Sequence, residues 1–142
     1  MLRHGLLACV VFVLAAGCSS NAPAPGSRSG GPASVTGTVT YRERIALPPH
    51  AEVTVTLADV SRADAAVIPI GATTFRADGR QVPLPFAIPF DPANVDSRVP
   101  YSVGARIMVD GQLAWISDTH TPALTRGASK DSIEIVLKRV AN

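Results

Sequence analysis

The sequence predicts an all-β chain, an antiparallel β-sandwich of about seven short strands, on three observations. Apolar and polar residues alternate with a period of two in several segments between Val35 and Leu137, the spacing of strands that turn one face to a core. Asp110-Gly111 separates two apolar segments, and a two-residue Asp-Gly link is a strong hairpin signal because glycine reaches positive φ without steric cost. No window places apolar residues at helical spacing, and Ser61 to Ala66 suffices for one turn at most.

In chain order, the first strand begins at Val35, where Val35, Val39 and Tyr41 alternate with Thr36, Thr38 and Thr40. The second sets Val53, Val55 and Leu57 against Glu52, Thr54 and Thr56. Thr73 to Ala77 fits a weak third strand. Val82 to Phe90 carries Leu84, Phe86, Ile88 and Phe90 on one parity and Pro83, Pro85 and Pro89 on the other. Prolines cannot donate to a ladder, so this segment is an edge strand or lies outside the ladder. Its apolar face has two readings. It seals the sandwich, with Phe86 and Phe90 in the core, or Leu84, Phe86, Ile88 and Phe90 form a partner-binding edge. Tyr101 to Val109 and Leu113 to Ser117 flank the Asp-Gly turn, and Trp115 shares a face with Leu113 and Ser117 as the expected core anchor, the other reading being an exposed aromatic that stacks on a partner. The last strand alternates Ile133, Ile135 and Leu137 with Ser132, Glu134 and Lys138.

The first residues are not part of this domain. Arg3 precedes an uncharged apolar run from Leu6 to Ala16, the make-up of a secretory signal and too short for the roughly 20 apolar residues of a membrane span. The run ends in Leu14-Ala15-Ala16-Gly17-Cys18, which resembles the lipobox of bacterial lipoproteins, with Ala15 standing where that family usually has Leu. The resemblance implies cleavage between Gly17 and Cys18 and lipid attachment at Cys18. The alternative is an ordinary cleaved signal with an incidental cysteine. Both cysteines, Cys9 and Cys18, lie in the leader or at its boundary, so no disulfide forms within the mature domain. The predicted organisation is a signal peptide over 1–17, a lipidated Cys and a Ser/Pro/Gly tether over 18–34, and the β-domain over 35–142. The tether buries too little apolar surface to offset its ordering entropy, and at about 5 to 6 Å times the square root of its length it reaches roughly 20 to 24 Å from the bilayer.

A chain of 142 residues with 13 Lys+Arg against 11 Asp+Glu holds one domain, and its scattered arginines form no nucleic-acid footprint. Catalytic chemistry finds no constellation. His50 and His120 are the histidines of the mature chain, in no metal-ligand spacing, so no metal or cofactor is expected. His50, after Pro48-Pro49, reads as a solvated loop residue. Ser117, Asp118 and His120 are triad residue types, but a triad converges from separate elements and these sit within four positions. Asp59 with Ser61 reads as a turn cap, and Asp91 and Asp96 bracket a Pro-Ala-Asn loop rather than a carboxylate pair for hydrolysis.

An ordered series of motifs spans the mature domain. It comprises Val35-Thr-Gly-Thr-Val39, Leu47-Pro48-Pro49, Ala51 to Leu57, Asp59-Val60-Ser61 and Asp64, then Pro85-Phe86-x-Ile88, Asp91-Pro92, Tyr101 to Ile107, Asp110-Gly111-x-Leu113, Ser117-Asp118 and Pro122-x-Leu124-Thr125. The series resembles the YbaY-like lipoproteins, whose domain is shared with YscW, the pilotin lipoprotein of type III secretion. Val67 to Arg80 departs from the pattern and leaves strand boundaries there open. The resemblance implies a non-catalytic β-sandwich accessory or protein-binding domain, pilotin- or chaperone-like toward an envelope assembly. It places the protein on the periplasmic face of the outer membrane, held by its N-terminal lipid, with an envelope protein as partner; Ser19 after the cysteine fits that destination. The competing class is an envelope enzyme or small-ligand carrier, which needs a pocket that the sequence does not display. Oligomeric state is not legible.

Overall fold

Alternation along each segment selects which side chains meet in the interior. The structure, a computed structural model, describes residues 33–141 and contains eight strands: β1 (Ala33–Tyr41), β2 (Glu52–Asp59), β3 (Ile68–Arg76), β4 (Leu84–Phe90), β5 (Tyr101–Val109), β6 (Gln112–Ile116), β7 (Thr121–Ala123) and β8 (Ile133–Arg139). The leader, Cys18 and most of the tether lie outside the described residues. Ala33 and Ser34, expected at the end of the tether, belong to β1, because they pair with Phe90 and Pro89 of β4. Pro92–Asn94 forms a short 3-10 turn capped by Asp91, whose carboxylate accepts from Ala93 N.

The strands hydrogen-bond in the order β3-β2-β5-β6-β8-β1-β4, with β7 beside β5. All pairs are antiparallel except β1 with β8, which run parallel from Gly37↔Ile133 to Tyr41↔Leu137. The sheet curls until its two ends nearly meet, between a barrel and a sandwich; a Cβ placed on Gly71 of β3 would stand 2.7 Å from Pro89 O of β4. The ends are not joined by a ladder. A strand with prolines at 85 and 89 is poor in donors, so it fits only at an end of the sheet, which is where β4 lies.

The predicted inner faces are the observed ones. Val35, Val39, Val53, Val55, Leu57 and Ile107 are fully buried, and Ile133, Ile135 and Leu137 nearly so. The third strand differs from its expectation, running from Ile68 rather than Thr73. Its first half pairs with β2 across a bulge at Leu57/Ala58 and has an exposed face, so the usual apolar alternation is missing there. β7 was not anticipated, being three residues long. It continues the edge of β5 that β6 occupies: β6 pairs with Arg106–Val109 and β7 with Tyr101–Val103. Across the gap, Ser117 N donates to Ala105 O at 2.9 Å and Ala105 N donates to Ser117 Oγ at 3.1 Å.

Candidate functional site

The four apolar side chains of the proline-rich segment go inward. Leu84 and Ile88 are fully buried, while Phe86 and Phe90 are 6% and 9% exposed. Their alternation with Pro85, Ala87 and Pro89 turns the outward face to solvent, so these side chains seal the core and present no apolar groove. Any contact made by this edge runs through its prolines and Ala87.

The candidate groove is elsewhere, at the end of the molecule where β1 leaves the sheet. Its floor is Trp115 of β6, 4% exposed, which is backed by Tyr41 at the end of β1 with ring centroids 4.7 Å apart and planes 15° from parallel, a stacked arrangement. The Tyr41 hydroxyl donates to Ile45 O at 2.7 Å, which folds the β1–β2 connection over the pair. Burial foremost, and then the Glu43 carboxylate, push the Tyr41 phenol above its ordinary value. The phenol therefore stays protonated and keeps donating. The indole N–H of Trp115 is buried with no acceptor among the described residues.

Around this floor opens a groove of about 670 Å³. One wall is Ile45, Ala46 and Pro48 from the β1–β2 connection; the other is Val109, Leu113 and Ala114 from the β5–β6 hairpin. Both walls are braced. Leu47 N donates to Gln81 Oε1 at 2.7 Å, and Gln81 Nε2 donates to Leu47 O at 3.1 Å, so one side chain imitates a ladder step. His50, a solvated turn residue as expected, meets Asp110 of the β5–β6 turn with Nε2 2.9 Å from Oδ1. Asp110 and Gly111 form the hairpin turn with φ of 51° and 75°, the double left-handed conformation that Asp-Gly favours. Val140 N donates to Ala114 O at 2.9 Å and closes one end, beside Arg139. Ile45 is 39% exposed, an apolar side chain offered to whatever enters. Sequence reasoning missed this groove because its lining comes from three distant stretches; the one local signal was an isoleucine in a connection otherwise rich in charge and proline, Arg42 to Pro49.

The Ser117, Asp118 and His120 cluster is built for structure. Ser117 Oγ accepts from Ala105 N, and the Asp118 carboxylate is paired with Lys138, so among the described residues no hydrogen-bond relay links the three. Asp59 caps its turn as expected, accepting from Ser61 N at 2.7 Å; the Ser61 side chain foremost, and then this backbone bond, hold its carboxyl below the usual carboxylate range. Asp96 is likewise committed to its own loop. Its carboxylate accepts from Arg98 Nη2 at 2.8 Å, Nε at 3.0 Å and the backbone N at 2.9 Å, which lowers its pKa to about 2.

Comparison with known proteins agrees with this architecture. The family model for the type III secretion system lipoprotein chaperone (YscW) matches residues 31–137. The chain is 38% identical over 102 residues to the uncharacterized lipoprotein YbaY of Escherichia coli K12, a match that takes in 72% of this chain and 54% of YbaY, so the chain spans about half the length of that relative. Among solved structures, an alternative pilotin from the type II secretion system of Vibrio cholerae superposes with a TM-score of 0.72 at 45% identity, covering 78% of this chain and 98% of the pilotin. With the family model matching residues 31–137, three quarters of the sequence, the chain belongs to the YscW family of lipoprotein chaperones.

Proposed function

We propose that the protein is an outer-membrane lipoprotein, anchored through acylated Cys18 and facing the periplasm, whose β-domain binds a segment of an envelope protein in a pilotin-like role. The observation that carries the binding step is the groove beside Trp115, where a half-exposed Ile45 and the apolar side of the β5–β6 hairpin face each other over a rigid aromatic floor. A groove with braced walls needs little reordering when it receives a partner, which favours affinity, and Gln112 and Arg139 give it polar groups beside its apolar walls. The pilotin match supports the role. The anchor is supported by the lipobox-like Gly17-Cys18 and the cysteine-free domain that follows. Two or more acyl chains hold a protein durably where one holds it only marginally.

The test is crosslinking capture from intact envelopes with Ile45→Asp and Leu113→Asp. Both side chains line the groove and neither is fully buried, so the melting temperature should change little while capture is lost. Unchanged capture by both variants refutes the groove. For the anchor, Cys18→Ser should abolish incorporation of labelled palmitate, and a wild-type protein without acyl chains by mass spectrometry refutes it.

A further inference from the structure

A second hollow lies on the outer face of the sheet, away from the groove. On β5 the outward positions are Ser102, Gly104 and Arg106. Ser102 points outward yet is only 6% exposed, because the β2–β3 connection at Val60 and Val67 and the Ser117–His120 loop rise around it. The hollow they enclose is about 200 Å³. It adjoins a trough of about 250 Å³ that runs to Arg106, and the two share Thr56, Gly104 and Ser117.

Gly104 is the bare floor. Its cross-strand partner is Thr56, and a Cβ built on it would meet nothing closer than Ser117 Oγ at 3.1 Å. Glycines in sheets are commonly covered by an aromatic ring from a neighbouring strand; here both neighbours are small hydroxyl residues, and the floor stays open. Two of the large apolar side chains left exposed, Val67 at 52% and Ile116 at 40%, stand beside this opening. The hydroxyl of Ser102 has no side-chain partner among the described residues and lines the hollow. Arg106 is exposed and belongs to none of the ion pairs of the described residues. Of the carboxylates, Asp118 lines the hollow and is paired with Lys138, and Glu52, diagonal to Arg106 across the β2–β5 ladder, is in none of the ion pairs of the described residues.

We infer that this hollow binds an aromatic carboxylate, its ring lying on Gly104 between Val67 and Ile116, its ring edge or ring hydroxyl at Ser102, and its carboxylate on Arg106. The dimensions agree, since a cavity of about 150 Å³ holds a benzene ring and two residues along a strand separate Gly104 from Arg106 by roughly 6 to 7 Å. A guanidinium pairs with a carboxylate through two parallel hydrogen bonds, so Arg106 selects the acid over the neutral ring. The chemistry is shared by a free aryl acid and by a polypeptide that ends in an aromatic residue.

The test uses the ¹⁵N-labelled full chain in detergent micelles. The probes are 4-hydroxyphenylacetate, p-cresol, and the peptide Ala-Ala-Ala-Tyr with a free or an amidated C-terminus. Saturating shifts at the Ser102, Gly104 and Ser117 amides with the aryl acid are expected, with p-cresol and the Arg106→Gln variant each about tenfold weaker, the loss of a charge-assisted pair. A free-acid peptide that binds more tightly than the aryl acid, and loses that advantage on amidation, identifies a chain terminus as the source; the reverse order identifies a small molecule. Gly104→Val should abolish both. If that variant does not fold, Arg106→Gln, altered only at an exposed tip, decides alone. Non-saturating shifts for every probe, or saturation that ignores the Arg106 charge, overturn the inference.

Discussion

Replacing Gly37 by alanine tests the least expected feature of the fold, the parallel pairing of β1 with β8. Gly37 lies on the inward parity of β1, opposite Ile133. A Cβ there would stand 2.0 Å from Ile133 O, 2.8 Å from its carbonyl carbon and 2.9 Å from Phe86 Cζ. Two of these atoms are backbone and cannot rotate away. Restoring an ordinary contact of 3.4 Å requires the strands to separate by 1.4 Å at that point, the difference between 3.4 and 2.0. A shift of that size breaks about two ladder hydrogen bonds, each contributing about 1 kcal/mol. It also strains a filled core, for which overpacking costs about 1 to 3 kcal/mol. The gain in chain stiffness from removing a glycine offsets only about 0.5 to 1 kcal/mol. The expected net loss is about 3 kcal/mol, which for a domain of this size lowers the melting temperature by roughly 10 to 20 °C. Gly104→Ala is the control, because its added carbon meets a single side-chain oxygen at 3.1 Å, so it should melt close to the parent. Thermal unfolding by circular dichroism reads both. A Gly37→Ala protein that also melts close to the parent shows that β1 and β8 are not paired in this register.

Leu57, fully buried, should cost about 2 to 5 kcal/mol as alanine; Thr54, whose hydroxyl meets that of Thr74 at 3.2 Å on the outer face, should cost less than about 1 kcal/mol, and equal losses in urea unfolding would contradict the assigned faces. Phe86→Ala and Phe90→Ala should each lose about 3 to 5 kcal/mol, and melting unchanged with partners lost would return these residues to a binding edge. Asp96 titrates at about 2 in the folded protein against about 3.9 in an unfolded chain; its contribution is therefore complete above the unfolded value and disappears as pH falls toward 2. Arg98→Ala should raise the Asp96 midpoint in a carboxyl NMR titration, though not fully, because the backbone N at 98 still donates to Oδ1; an unmoved midpoint refutes the assignment.

The legible parts of the molecule share one property, that neighbours two positions apart suffice to define them. The alternations in β2 and β8 told which side chains are buried, Asp110-Gly111 told where the chain reverses, and the prolines of β4 confined it to an end of the sheet. Ser117, Asp118 and His120 read locally as turn residues, but the contacts two of them make reach across strands, Ser117 Oγ accepting from Ala105 N of β5 and Asp118 pairing with Lys138 of β8.

What the sequence could not decide involves partners far apart along the chain. Alternation says that Val35, Gly37, Val39 and Tyr41 share a face, but not that Gly37 lies against Ile133; only that approach explains why the position has no side chain. Phe86 and Phe90 had an inward and an outward reading, and closure of the sheet around them chose the first. The Trp115 groove is assembled from Ile45 to Pro48, Val109 to Trp115 and Arg139 to Ala141, and the hollow over Gly104 from β2, β5 and two loops. Periodicity is set by the geometry of one strand, whereas a concave surface is the space left when several strands and their connections have satisfied their own packing and hydrogen bonds, so its shape belongs to the tertiary structure alone.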